Sequence, residues 1–460
     1  SFMRTRESVT KVIKAYDVRG VVGVDIDSDF IAEVGAAFGA LMRGEGAARV
    51  AIGHDMRPSS PELADAFARG VVSQGVNVIQ LGLTSTDQLY CASGELDCPG
   101  AMFTASHNPA EYNGIKMCRS GARPVGQETG LAQIIDMLVD GIPAFDGPQG
   151  EISHRDTLAD YAAFLRNLVD LSNIRPLVVA VDAANGMGGH TVPEVFAGLP
   201  LEIKPLYFEL DGTFPNHEAN PLDPKNLVDL QKFTPEVGAD IGLAFDGDAD
   251  RCFVVDELGQ PVSPSAICAI VAERYLAQHP GATVIHNLIT SKSVPEIIAE
   301  NGGSAVRTRV GHSFIKAQMA EHSAVFGGEH SAHYYFSEFF NADSGILAAM
   351  HVLAALGGQD KPLSELMHQY NRYQASGEIN SRLASSEAQA ERTQAVLDAF
   401  ADRIESVDRL DGVTVELKDT KAWFNVRASN TEPLLRLNVE AETDQEVAAL
   451  VEEILAIIRA

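Results

Sequence analysis

The chain has 460 residues, 45% hydrophobic and 21% charged, and its 63 acidic against 35 basic side chains give a formal net charge of −28. That length exceeds one hydrophobic core and implies about three or four domains of roughly 100–150 residues, the composition is that of a soluble globular protein, and the negative excess repels nucleic acid at long range. No run of about 18 apolar residues is present, so no helical membrane span is expected.

Ser1-Phe2-Met3-Arg4-Thr5-Arg6 leads into no apolar segment, so no secretory signal is expected, and Met3 is a candidate natural start. Cys91, Cys98, Cys118, Cys252 and Cys268 are scattered without CxxC spacing, which argues against a disulfide framework and a structural metal. The expected setting is a reducing cytoplasm.

In residues 1–150, short apolar runs (Val50-Ala51-Ile52, 76–81, 100–103) alternate with a helical stretch at about 61–74, the pattern of a parallel sheet with crossover helices. The Pro/Gly-rich piece around 141–148 reads as the end of this first domain. Residues 151–256 open with a helix near 156–171, followed by the apolar run Leu177-Val178-Val179-Ala180-Val181 and the glycine turn Asp182-Ala183-Ala184-Asn185-Gly186. That turn resembles the start of a nucleotide fold, but its fingerprint is incomplete, and a structural role is expected. A strand at 241–245 then delivers an acidic loop, with a hairpin turn at 257–260.

Residues 257–372 repeat the theme, with strands at 284–285 and 306–309 and a helix over about 344–356 capped by Asp343 or Ser344. A linker near 372–377 leads into 373–460, where Leu435, Leu437 and Val439 alternate with Arg436, Asn438 and Glu440 as in a half-exposed strand. Thr443-Asp444-Gln445-Glu446 predicts a capping box for a closing amphipathic helix. The fold expected is four domains around a central cleft: three repeated mixed α/β domains with parallel-type sheets, then an α+β domain.

Four stretches carry candidate chemistry. Thr104-Ala105-Ser106-His107-Asn108-Pro109 puts one serine in a tight turn after an apolar run, where the proline stops regular structure and the hydroxyl is expected to be presented, not buried. Asp246, Asp248 and Asp250 alternate after a strand and could converge on a hard cation. An EF-hand is the sharpest rival, since Glu257 falls at the twelfth position, but Arg251 occupies the place needing glycine and the flanks read as strands. Glu329, Ser331 and His333 alternate too, placing all three on one side of an extended segment. Arg427, Ser429, Asn430 and Thr431 offer a guanidinium fork, two hydroxyls and loop amides suited to a phosphate dianion. Taken singly, each of these is as well explained by an ordinary polar turn or strand face.

Together with Lys14-Ala15-Tyr16-Asp17-Val18-Arg19-Gly20, these motifs, in this order over essentially the whole chain, resemble those of the α-D-phosphohexomutases, closest to the bacterial phosphomannomutase/phosphoglucomutase branch. The resemblance implies an intramolecular phosphotransferase that interconverts hexose 1- and 6-phosphates through a phosphoserine at Ser106 and a hexose 1,6-bisphosphate, the latter also an activator. It implies catalytic roles for Ser106, Arg251, Lys116, Arg19 and His107, Mg²⁺ on Asp246, Asp248, Asp250 and the Ser106 phosphate, and substrate contacts from Tyr16, His312, Glu329, Ser331, His333, Arg427, Ser429, Asn430 and Thr431. His312 and His333 are also candidate acid/base groups, because histidine titrates near neutrality.

Two departures stand out: His54 where relatives often have arginine, which leaves only Arg57 with a phosphate-side role, and no matching domain 3 lysine, for which Lys292 is the candidate substitute. Partners are expected to be small sugar phosphates, with no nucleic acid or membrane, and the chain a monomer or weak dimer. The rivals are a phosphoglucosamine mutase, disfavoured by the two histidines of Gly328-Glu329-His330-Ser331-Ala332-His333, and a non-catalytic sugar-phosphate or divalent-ion binder.

Overall fold

The computed structural model describes residues 4–460, so the candidate start Met3 lies outside the described residues. The chain forms two compact units, one comprising the residues up to Val262 with His333–Ser364, the other Ser263–Ala332 with Glu365–Ala460.

The first unit holds two sheets. In one, the strands lie in the order Val18–Val21, Tyr112–Arg119, Gly100–Phe103, Arg49–His54, Asn77–Leu83, Ile152–His154, with Arg123–Pro124 paired to Tyr112–Arg119. Its central strands are parallel, as the short, largely apolar runs imply, and Tyr112–Arg119 and Val18–Val21 join antiparallel at one side. The helix Ser60–Ser73 buries Leu63, Phe67 and Val71 at four-residue spacing, one apolar stripe per turn.

The other sheet runs Pro261–Val262, Cys252–Asp256, Ile241–Phe245, Leu177–Asp182, Leu201–Leu206, with the last three parallel. Leu177–Asp182 and Ile241–Phe245 both end at the same edge, so the glycine turn and the acidic loop emerge side by side. The segment returning to this unit supplies the hairpin of Tyr334–Phe336 with Ala342–Asp343 and the helix Gly345–Gly357, whose cap is Ser344.

In the second unit, Thr283–Asn287 pairs in parallel with Ser304–Thr308 and Phe326–Gly328. The C-terminal module is an antiparallel sheet built on Leu434–Ala441, Trp423–Ala428 and Val413–Leu417, backed by the helix Asp444–Ile458 through Val447, Leu450, Ile454 and Ile458. The linker expected at 372–377 is not plain coil, because Gln374–Ala375 adds to Leu434–Ala441 as an edge strand.

Two local expectations are corrected. Asn438 and Glu440 are buried instead of facing water: Glu440 Oε1 accepts from the Lys292 backbone N–H at 2.8 Å and from Trp423 Nε1 at 2.9 Å. Glu440 thus meets its bonding need within the protein, as buried polar groups generally do, whereas Asn438 Oδ1 is buried without a hydrogen-bond partner among the described residues. At the last helix, Thr443 Oγ1 accepts from Glu446 N at 3.1 Å, but the Glu446 carboxylate meets the Thr443 hydroxyl at 3.5 Å and not the backbone N–H, so only half of the capping box is made.

Candidate active site

Ser106 follows the strand Gly100–Phe103 in a turn closed by Asn108 N donating to Ala105 O at 2.9 Å. Its backbone has φ 51°, left-handed, a region that costs a non-glycine residue about 1 kcal/mol or more. The expectation of a presented hydroxyl is overturned, since Ser106 is only 3% exposed. The reason is packing: the acidic loop lies directly on it, and Ser106 Oγ donates to Asp246 Oδ2 at 3.2 Å.

Asp246, Asp248 and Asp250 do converge, with one carboxylate oxygen from each within 4.8 Å of the others and all three buried. Strand alternation is not what brings them together. The loop is a tight turn, Ala249 N donating to Asp246 O at 3.1 Å with Ala249 at φ 59°. A residue's sign of φ is invisible in a pattern of alternating acids, so the convergence was legible and its cause was not.

Burying three carboxylates together is costly unless cations answer them. Burial, then the charges of Asp250 and Asp248, push the Asp246 carboxyl well above its ordinary range. Burial is the largest single influence on Asp250 and opposes its ionisation, but the Lys116 ammonium, the hydrogen bond with Asp246 and the Arg251 charge together hold that carboxyl below the usual range. Lys116 Nζ lies 2.9 Å from Asp248 Oδ2 and 3.2 Å from Asp250 Oδ2, and despite burial these two carboxylates hold its pKa well above normal. Arg251 Nε is 3.5 Å from Asp246 Oδ2, and its Nη2 reaches His107 Nδ1 at 3.2 Å. Burial, with the Arg251 and Arg19 charges, lowers His107 to about 4, so its ring is neutral at pH 7.

Asp248 Oδ1 and Asp250 Oδ1 are buried with no hydrogen-bond partner among the described residues. An all-oxygen donor set with two orphaned acceptors fits a hard divalent cation.

Arg19 reaches the serine loop from the N-terminal segment, donating through Nη1 to Asn108 Oδ1 at 2.8 Å and through Nη2 to Asp17 Oδ2 at 2.5 Å. Tyr16 nearby is 44% exposed. Sequence reasoning missed Thr86, whose hydroxyl donates to Asp248 Oδ2 at 2.5 Å while its N–H binds Asp248 O. Its only signal was the capping box Ser85…Gln88, which marks a helix start but says nothing of what faces it. Asp343 was singled out only as a cap; its carboxylate lies 3.4 Å from His333 Nδ1, and the two gather with Asp250.

The grouping of His333 with Glu329 and Ser331 is corrected. The segment is a turn closed by Ala332 N to Glu329 O at 3.1 Å, with Ala332 at φ 67°, and no extended face exists for the three to share. His333 belongs to the first compact unit, Glu329 and Ser331 to the second. The loops after Phe103, Phe245 and Gly328 are each closed from the fourth residue to the first, with the left-handed non-glycine residue second in the serine loop (Ser106) and fourth in the other two (Ala249, Ala332).

In the second unit, Glu329 is buried and accepts from Asn287 Nδ2 at 3.3 Å. His312 opens the helix His312–His322. Arg427 Nη2 lies 3.3 Å from Glu378, and its Nη1 is buried without a partner among the described residues. Ser429 Oγ accepts from the amides of Thr431 and Glu432, so these loop amides are already partly engaged. Lys292, the candidate substitute lysine, is instead paired with Glu416 at 3.1 Å. Arg57 is corrected as well: all its donors bind Asp55 or main-chain carbonyls, which leaves none for a phosphate.

Contact between the serine and acidic loops rests on Gly247, where a Cβ would lie 2.5 Å from Ser106 O. Gly247→Ala is therefore expected to push the two loops apart and lower turnover by about a hundredfold, the effect of a displacement near 1 Å at reacting groups. Steady-state rates on a folded variant check this, and parent-like turnover would contradict it.

Family models described as phosphoglucomutase/phosphomannomutase match the chain four times: α/β/α domain I over 10–140, domain II over 159–259, domain III over 263–373 and the C-terminal domain over 378–457. A phosphomannomutase of Salmonella montevideo is 39% identical, covering 94% of this chain and 95% of the relative. A phosphoglucomutase of Neisseria meningitidis is 35% identical, covering 97% and 96%. The crystal structure of a phosphoglucomutase/phosphomannomutase family protein from Burkholderia thailandensis superposes with a TM-score of 0.88 at 30% identity, covering 99% of this chain and 98% of that one.

Proposed function

The chain belongs to the phosphoglucomutase/phosphomannomutase family and is a hexose-phosphate mutase, and from that premise we propose that it interconverts the 1- and 6-phosphates of mannose and glucose through a phosphoserine at Ser106 and a hexose 1,6-bisphosphate. The observation that carries this reading is the Ser106 hydroxyl, hydrogen-bonded to Asp246 inside a buried cluster of three carboxylates, a lysine and an arginine.

In this reading the phosphoryl group leaves the Ser106 oxygen for the free hydroxyl of a bound monophosphate. The resulting bisphosphate turns end over end and returns its other phosphoryl group to Ser106. Asp246, Asp248 and Asp250 would hold Mg²⁺, which when bound would neutralise negative charge beside Ser106. Arg251 and Lys116 place fixed positive charge beside the same carboxylates, and phosphoryl transfer gains most of its rate from such positioning and electrostatics. Arg19 orients the turn through Asn108. Residues 1–150 would thus supply the phosphoserine, 151–256 the metal loop, 257–372 the sugar contacts of Glu329 and Ser331, and 373–460 the phosphate contacts of Arg427, Ser429, Asn430 and Thr431.

Mannose and glucose differ only at C2. A site that grips other hydroxyls leaves no buried polar group unpaired by either sugar, so it discriminates weakly. A coupled assay on both 1-phosphates is expected to show turnover of each, with specificity constants less than about a hundredfold apart, or about 2.7 kcal/mol. Turnover of neither would sink the assignment, and a wider gap would sink the dual specificity.

A further inference from the structure

We propose that Arg57 is a positioning residue that holds the Ser106 loop in its reactive conformation, an inference that rests on Ser106 being the phosphoryl carrier. A guanidinium has five N–H donors in a rigid planar fork. In Arg57 every one is used: Nε on Asp55 Oδ2 at 3.3 Å, Nη1 on Pro109 O at 2.7 Å and Tyr112 O at 2.9 Å, Nη2 on Ser106 O at 3.1 Å and Asn108 O at 2.9 Å. Four carbonyls spread over seven residues of one loop are thereby gathered onto one planar group.

The arrangement is built to stay in place. Arg57 is 1% exposed and its guanidinium lies 5.3 Å from the centre of the Phe214 ring. Asp55 aligns the fork, and is itself fixed by Ser60 Oγ at 2.6 Å and by the Arg57 N–H at 3.0 Å. Ser106, at φ 51°, sits in a conformation a non-glycine residue holds only when its surroundings over-determine it. The turn's own hydrogen bonds, Asn108 N to Ala105 O and Ser106 N to Thr104 Oγ1, leave the carbonyls of 106 and 108 to Arg57, while the Pro109 carbonyl accepts from both Arg57 and the Tyr112 N–H, the latter at 3.1 Å. A lysine has one tetrahedral head and cannot span four such acceptors.

The test compares the full chain with Arg57→Lys and Asp55→Asn, measuring kcat, KM, melting temperature and hydrogen exchange of the 104–114 segment. Arg57→Lys is expected to lower kcat by about a hundredfold with KM within about threefold of the parent, and to speed exchange in that segment by about tenfold or more while the chain remains folded. Parent-like kcat in folded Arg57→Lys overturns the proposal, as does a loss of kcat with segment exchange unchanged. Should Arg57→Lys fail to fold, Asp55→Asn decides: it keeps the guanidinium but loses the charge that aligns it, and kcat is expected to fall about tenfold at unaltered KM. Parent-like kcat there overturns the proposal. A parent chain that transfers no phosphate refutes the mutase reading instead, and the exchange comparison then still decides whether Arg57 holds the loop.

Discussion

Ser106→Ala is expected to abolish mutase turnover, by at least about a thousandfold, while hexose monophosphate still binds. Removing the atom that accepts the transferred group eliminates a covalent step with no substitute, and such losses in other enzymes run to several powers of ten. No neighbouring hydroxyl takes its place: the Thr104 Oγ1 is committed to the Ser106 amide and the Thr86 hydroxyl to Asp248. Calorimetry with a hexose 1-phosphate should show affinity within about tenfold of the parent, because the proposed sugar and phosphate contacts, Glu329, Ser331 and Arg427, are untouched. Intact mass gives the covalent readout. The parent should carry one phosphate that is lost to unlabelled monophosphate, and Ser106→Ala should never gain it. Turnover by the variant above about one per cent of parent would place the phosphoryl carrier elsewhere.

The second large effect is expected from removing the divalent cation. Chelation should lower turnover by at least about a hundredfold, the scale of losing one electrostatic stabiliser of a developing charge, and added Mg²⁺ should restore it. Melting temperature provides an activity-independent check. Three buried carboxylates, two of them with an oxygen lacking any partner among the described residues, repel one another in the metal-free chain. Binding at a hundred times Kd should therefore stabilise the fold by about 2.7 kcal/mol. Asp248→Asn removes one charge from the trio, so its metal-free form should be no less stable than the parent's and its Mg²⁺-dependent rise in melting temperature should shrink. A chelated parent with full turnover and no shift with Mg²⁺ would end the metal assignment.

Much of this site was legible before any fold was known. A lone serine before His-Asn-Pro, acids at 246, 248 and 250, and basic residues at 19, 116 and 251 are local features, readable because the chemistry needs particular side-chain types. The strands that present them were legible for a similar reason: 100–103 and 241–245 are short, wholly apolar runs, and both match strands residue for residue. The capping half-box at Thr443, by contrast, shows that a local motif marks where a helix starts but not which of its bonds form.

The sequence by itself determined the element types, the inventory of reactive groups and the family. Those depend on side-chain chemistry and on hydrophobic period, which a linear string carries in full. Only the tertiary structure decided that Ser106 is buried beneath the acidic loop, that left-handed Ala249 and Ala332 turn their loops back on themselves, and that Arg57 serves four carbonyls instead of a phosphate. Each of these turns on the sign of a backbone angle or on contacts between residues far apart in the chain, and neither leaves a trace in the order of the amino acids.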